Sequence, residues 1–146
     1  MQRVLESAAS TQVWICPATK KNLKHSIFYE MDIGNGQTEY AWAFNKKFNK
    51  KWVSMKEGDI CIFGRSKENY SRAAVVKRKQ DISELEDWPY RGEDGRTEWS
   101  WGFFLENPHV INIKYTTLME NVRQKRFSTQ TLLDDECANN VKRLLI

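Results

Sequence analysis

Short apolar runs separated by polar turns recur along most of the chain, and an amphipathic stripe of helical period closes it. Residues 12–16 (QVWIC) are largely apolar and are stopped by Pro17, which predicts a short strand. A helix is expected over residues 20–29, where Leu23, Ser26 and Ile27 share a face, and Gly34-Asn35-Gly36 reads as a turn. Residues 39–44 (EYAWAF) alternate as a half-buried strand does. A tight turn at Glu57-Gly58-Asp59 leads into residues 60–64 (ICIFG), a buried strand. After a polar loop, residues 72–79 predict a strand with Ala73, Val75 and Lys77 on one side. Residues 99–106 (WSWGFFLE) and 110–113 (VINI) read as two strands joined by a turn at Asn107-Pro108-His109. From about residue 131 a helix is expected, with Leu133, Cys137, Val141 and Leu144 or Leu145 on one face. Its acids Asp134, Asp135 and Glu136 and its bases Lys142 and Arg143 match the helix dipole.

Two stretches stand apart from this pattern. In NKKFNKKWVSMKEGD (residues 45–59), Lys46, Lys47, Lys50 and Lys51 are spaced to line one side of a helical turn while Phe48, Trp52 and Met55 face inward. Residues 81–98 turn acidic and carry Pro89, two glycines, Trp88 and Tyr90. Long structured loops in small domains usually serve function. Strands dominate and the helices are short, so a small α+β barrel is the expected architecture.

A chain of 146 residues has the size of one domain, read here as a tail over residues 1–11 and a domain over residues 12–146. No apolar run is long enough to span a bilayer and the start has no signal-peptide pattern, so a cytoplasmic protein is expected. Cys16, Cys61 and Cys137 are odd in number and sit in apolar contexts, which fits reduced, packed thiols. The formal charge of +4 allows attraction to polyanions without demanding it. The six tryptophans change the picture more, because indole rings stack on bases and enclose methyl groups as well as filling cores. Trp14, Trp52 and Trp101 lie within apolar elements and are expected in the core.

The order of these elements resembles the EVE and YTH branch of the PUA-like barrels over residues 12–113. The resemblance is carried by the first strand, a helix containing Asn22, Trp42 in YAWAF, and the helix followed by MKEGDICIFG. WPYRGEDGRTEWSWGFFL followed by NPHVINI is also similar in kind. It implies a small PUA-like β-barrel flanked by short helices, with two or three aromatic side chains enclosing a flipped-out, modified base. By position, Trp42 answers to the cage tryptophan that follows the first helix, Trp88 to the one from the late loop, and Asn22 to the residue that hydrogen-bonds the base edge. Trp99 and Tyr90 share that late region with Trp88. In prokaryotes such domains often read DNA in modification-dependent restriction systems, whereas YTH relatives read methylated adenine in RNA, and this chain is expected to be the N-terminal reader of a longer protein with a nuclease or motor domain downstream. DNA is placed ahead of RNA.

Lys20, Lys21 and Lys24 add a second basic patch to Lys46, Lys47, Lys50 and Lys51, and Arg123, Lys125 and Arg126 a third. Each is a phosphate contact or a solvated face. His25 and His109 have no zinc-ligand spacing with a cysteine, and the acids of the late loop follow no nuclease pattern. A binding module with no metal and no cofactor is therefore expected. An ASCH-type ribonuclease is the enzymatic alternative, and a cage for a methylated lysine is the alternative among binding modules.

Overall fold

The computed structural model describes residues 12–17, 29–34, 37–64, 69–81, 101–124, 127 and 131–145. Seven strands form one sheet: β1 (Val13–Pro17), β2 (Tyr29–Gly34), β3 (Gln37–Phe44), β4 (Ile60–Gly64), β5 (Tyr70–Asp81), β6 (Trp101–Ile113) and β7 (Thr131–Leu132). A 3-10 turn at Lys46–Phe48 runs into α1 (Asn49–Ser54), and α2 (Tyr115–Val122) and α3 (Asp135–Leu144) follow β6 and β7. The strand order is β2-β3-β6-β5-β4-β1-β7, and β1 runs parallel to β4 while every other pairing is antiparallel.

The sheet is rolled. In that order β3 lies three places from β4 and four from β1, which in a flat sheet would be about 14 and 19 Å. Yet the rings of Trp42 on β3 and Phe63 on β4 have centroids 4.8 Å apart, and Trp14 on β1 lies 5.6 Å from Phe44 on β3. Only a half-barrel brings those rings together. Its interior holds Trp14, Cys16, Phe44, Phe63, Phe103 and Leu105. The opposite face of the same strands is aliphatic, and Val13, Ile15, Ile60, Ile62 and Val75 pack there against Leu118 and Val122 of α2 and Cys137, Ala138 and Val141 of α3. Strands β1 and β4 are buried on both faces, which is why they read as continuous apolar runs.

Three register shifts between β5 and β6 help bend the sheet. In the middle one, Ala73 and Val75 stand opposite His109 and Glu106, so β6 carries one residue more than β5. The turn expected at Asn107-Pro108-His109 is therefore a bulge within one continuous strand. Asn107 takes the left-handed conformation (φ 50°), and Pro108 has no N–H to lose, so both suit an unpaired position. Lys77, expected beside Ala73 and Val75, is the extra residue of a second shift and is exposed.

Other expectations are corrected at element ends. Tyr29, expected in a helix, begins β2, and its partner across the hairpin is Ala41. Helix α2 was not foreseen. The last helix begins after Asp134 rather than at Thr131, because Thr131 and Leu132 pair with Ile15 and Trp14 as an edge strand. Asp134 accepts a 2.8 Å hydrogen bond from the Cys137 N–H as the N-cap. That bond holds its carboxyl below the usual value. A lowered folded pKa stabilises the protein above the unfolded value of about 3.9, and the contribution is lost as pH falls through the folded pKa. Asp134→Ala is accordingly expected to lower the thermal midpoint at neutral pH, with the gap to the native protein narrowing as pH falls below the unfolded value.

The Gly58-Asp59 turn ties the barrel to its first strand. Gly58 sits at φ 91°, open to glycine and strained for other residues. Asp59, 2% exposed, accepts bonds from the backbone N–H of Gln12 (3.3 Å) and of Lys56 (2.9 Å), and from the side chains of Gln12 (2.8 Å) and Trp14 (3.0 Å). All three cysteines are free and buried, and burial pushes the Cys61 thiol well above its usual value. No helix among the described residues is long and apolar enough to cross a membrane.

Candidate nucleic-acid interface

The lysine-rich segment is too short to hold itself as a helix in water, so its shape comes from capping and docking. Asn45 starts it, its side-chain oxygen accepting from Lys47 N–H at 3.2 Å and its carbonyl from Phe48 N–H at 2.9 Å. Met55 ends it, with its N–H shared between the carbonyls of Lys51 and Trp52. Two indole N–H groups lock it to β6: Trp52 donates to the Gly102 carbonyl at 2.8 Å, and Trp101 donates to the Lys46 carbonyl at 2.9 Å. Lys79 donates from β5 to the Trp52 carbonyl at 2.9 Å, capping the last turn with a positive charge.

This docking sorts the lysines. Lys46, Lys47 and Lys50 are exposed, whereas Lys51 is half-buried with its ammonium 4.9 Å above the Phe48 ring. Burial holds the Lys51 pKa below its usual value. The stripe of four expected from spacing becomes three exposed lysines and a half-buried one, with the Lys47 ammonium also over Phe48 at 5.3 Å, and residues 46–48 wind as a 3-10 turn while only residues 49–54 form an α-helix. Arg123 is engaged by Glu136 at 2.6 Å.

Trp42 lies on β3 opposite Phe103, is 8% exposed, and leans on Phe63. It is part of the aromatic lining of the half-barrel, and Phe48, Trp52 and Trp101 pack against that same cluster at its partly exposed edge. The lysine-bearing segment and Trp42 thus adjoin one aromatic body. Trp88, Tyr90, Trp99, Asn22, Lys20 and Lys21 lie outside the described residues. Trp14 is fully buried, as expected of a core residue, whereas Trp52 and Trp101 are half-exposed. Their rings pair at 4.8 Å with a 33° tilt, and the Lys79 ammonium sits 4.9 Å over Trp52. The sequence reading missed this pair as a surface. Nothing local marks it, since both tryptophans lie in runs that read as core.

Comparison with solved structures agrees with this geometry. The crystal structure of the MmI1 YTH domain superposes with a TM-score of 0.62 at 14% identity, covering 92% of this chain and 95% of that one. The fold is PUA-like. The ASCH protein of Zymomonas mobilis, solved as its S128A mutant, superposes with a TM-score of 0.61 at 13% identity, covering 90% and 95% of the two chains. No family model and no curated protein matches the sequence. The fold expected from the order of elements is the fold observed.

Proposed function

We propose that the protein is a non-catalytic reader of nucleic acid that takes one flipped-out, modified base into a pocket walled by Trp42. The observation that carries this reading is that the segment bearing the exposed Lys46, Lys47 and Lys50 docks, through Phe48 and Trp52, on the same aromatic cluster that contains Trp42. A base needs flat, polarizable walls, and stacking on an aromatic ring is worth about 1–3 kcal/mol per base. Cations beside the pocket hold the phosphates while one nucleotide leaves the stack, a step that costs a few kcal/mol. Trp88, Tyr90 or Trp99 would supply further walls and Asn22 a hydrogen bond to the base edge. Lys20, Lys21 and Lys51 would extend the backbone contact.

The strand proposed first is DNA, read as the specificity part of a modification-dependent restriction system with a nuclease or motor as partner. RNA bearing methylated adenine is the reading that a YTH-like fold supports.

The test is fluorescence-anisotropy binding to matched DNA and RNA strands, unmodified or carrying methyladenine, methylcytosine or hydroxymethylcytosine. One modified strand should bind selectively, and Trp42→Leu, which keeps an apolar filling, should weaken it between about fivefold and a hundredfold. Neutralising Lys46, Lys47 and Lys50 together should reduce the slope of log affinity against log salt by about 2 on a single strand. Equal affinity for every strand, unchanged by Trp42→Leu, would sink the reading. Selective capture of a methylated-lysine peptide would move the ligand to the cation class.

One observation favours an ASCH-type RNA-processing activity instead. Lys51, held below its usual pKa by burial beside Phe48, is the kind of amine that serves as a general base. Metal-independent cleavage of RNA, lost in Lys51→Gln, would establish that alternative.

A further inference from the structure

We propose that Trp101 is a second stacking surface, taking the base next to the one held at Trp42, so that the protein reads an unpaired strand at two successive nucleotides. This rests on the base-reader assignment above and deepens it.

The placement follows from register. Trp42 stands opposite Phe103, and Trp101 is two residues from Phe103 on the same face of β6. Diagonal neighbours of this kind on adjacent antiparallel strands lie about 7–8 Å apart. That separation is within the reach of one nucleotide step in an extended strand, and too short to accommodate a paired duplex between the two rings.

The chemistry of the rim fits a base and its phosphate. Lys79, Trp52 and Trp101 form a stack of ammonium, ring and ring, at 4.9 and 4.8 Å. Trp101 itself is partly exposed, and it is there that an incoming π face would meet it. The Trp101 N–H is bonded to the Lys46 carbonyl, which fixes the plane of the ring and sets the backbone of Lys46 beside it. A ring held by a hydrogen bond and by a neighbouring ring loses little entropy when a base lands on it. A lysine next to the ring can meet the phosphate of the stacked nucleotide.

The experiment uses single-stranded pentanucleotides in DNA and RNA form, carrying methyladenine or methylcytosine at the centre, with the neighbouring nucleotide on each side in turn either normal or abasic. For the native protein, removing one particular neighbouring base should weaken binding roughly tenfold. In Trp101→Leu that penalty should vanish, the normal and abasic strands binding alike. Trp101→Phe, which keeps a ring but cannot donate to Lys46, should restore most of it, separating stacking from a merely structural loss.

Selective binding that is indifferent to both neighbours, or a penalty that survives in Trp101→Leu, would overturn the second surface and leave the reader intact. Absence of any dependence on the modified base or on Trp42 would overturn both.

Discussion

Asp59→Ala is expected to lower the unfolding free energy by about 3–5 kcal/mol, a large part of the total stability of a small domain. The carboxylate accepts four hydrogen bonds from two segments, and one donor, the Trp14 indole N–H, belongs to a side chain with no exposure at all. Alanine would leave that N–H and the Lys56 amide without an acceptor, and each orphaned group costs about 1–3 kcal/mol. Urea unfolding checks the value. A cycle with Trp14→Phe tests the cause, because once the indole N–H is gone the loss of Asp59 should cost distinctly less. Additive losses would show that Asp59 acts through the turn alone.

Gly64→Ala should be comparably damaging, about 3 kcal/mol, for a steric reason. A Cβ built on Gly64 would stand 2.5 Å from the Tyr70 Cα, 2.6 Å from the Tyr70 Cγ and 3.0 Å from the Asn69 carbonyl oxygen. Two of those atoms are backbone and cannot rotate aside, so β4 and β5 would have to separate where Gly64 pairs with Tyr70. Shortening Tyr70 as well would relieve the Cγ contact only, and the double variant should remain well below the native midpoint. If Gly64→Ala unfolds within about 0.5 kcal/mol of the native protein, a size within ordinary surface effects, the close approach is not a constraint.

What could be read from the sequence was what the chain specifies locally. Strands β1 and β4 announce themselves because both faces are buried, and the Gly58-Asp59 turn because its two residues do different jobs, one conformational and one as acceptor. The inward set of Phe48, Trp52 and Met55 was legible from spacing. Strand β2 was not, since YEMDIG becomes a strand through its hairpin with β3, a nonlocal pairing that overrides weak local preference. The bulge at Asn107-Pro108-His109 carries the residues of a turn and differs from one only through the partner strand. For the candidate site, the types of residue were legible and their exposure was not. Trp42 is nearly enclosed while Trp52 and Trp101 reach the surface, and that difference depends on where a rolled sheet closes.

The parallel pairing of β1 with β4 also bears on how the molecule is assembled. Gln12 and Asp59 are 47 positions apart, and a parallel neighbour cannot be supplied by a hairpin, so this junction forms only after a long loop has been closed at an entropic cost. The antiparallel ladders β4-β5 and β2-β3 can zip from their own turns well before that. The docking of β1, like the still more distant β3-β6 pairing, is therefore expected to follow those hairpins, in the slow millisecond-to-second regime of topologies dominated by distant contacts. Until it docks, the indole of Trp14 has no buried acceptor and the ring of Phe44 lacks its neighbour, so the barrel matures as a seam closing along its first strand.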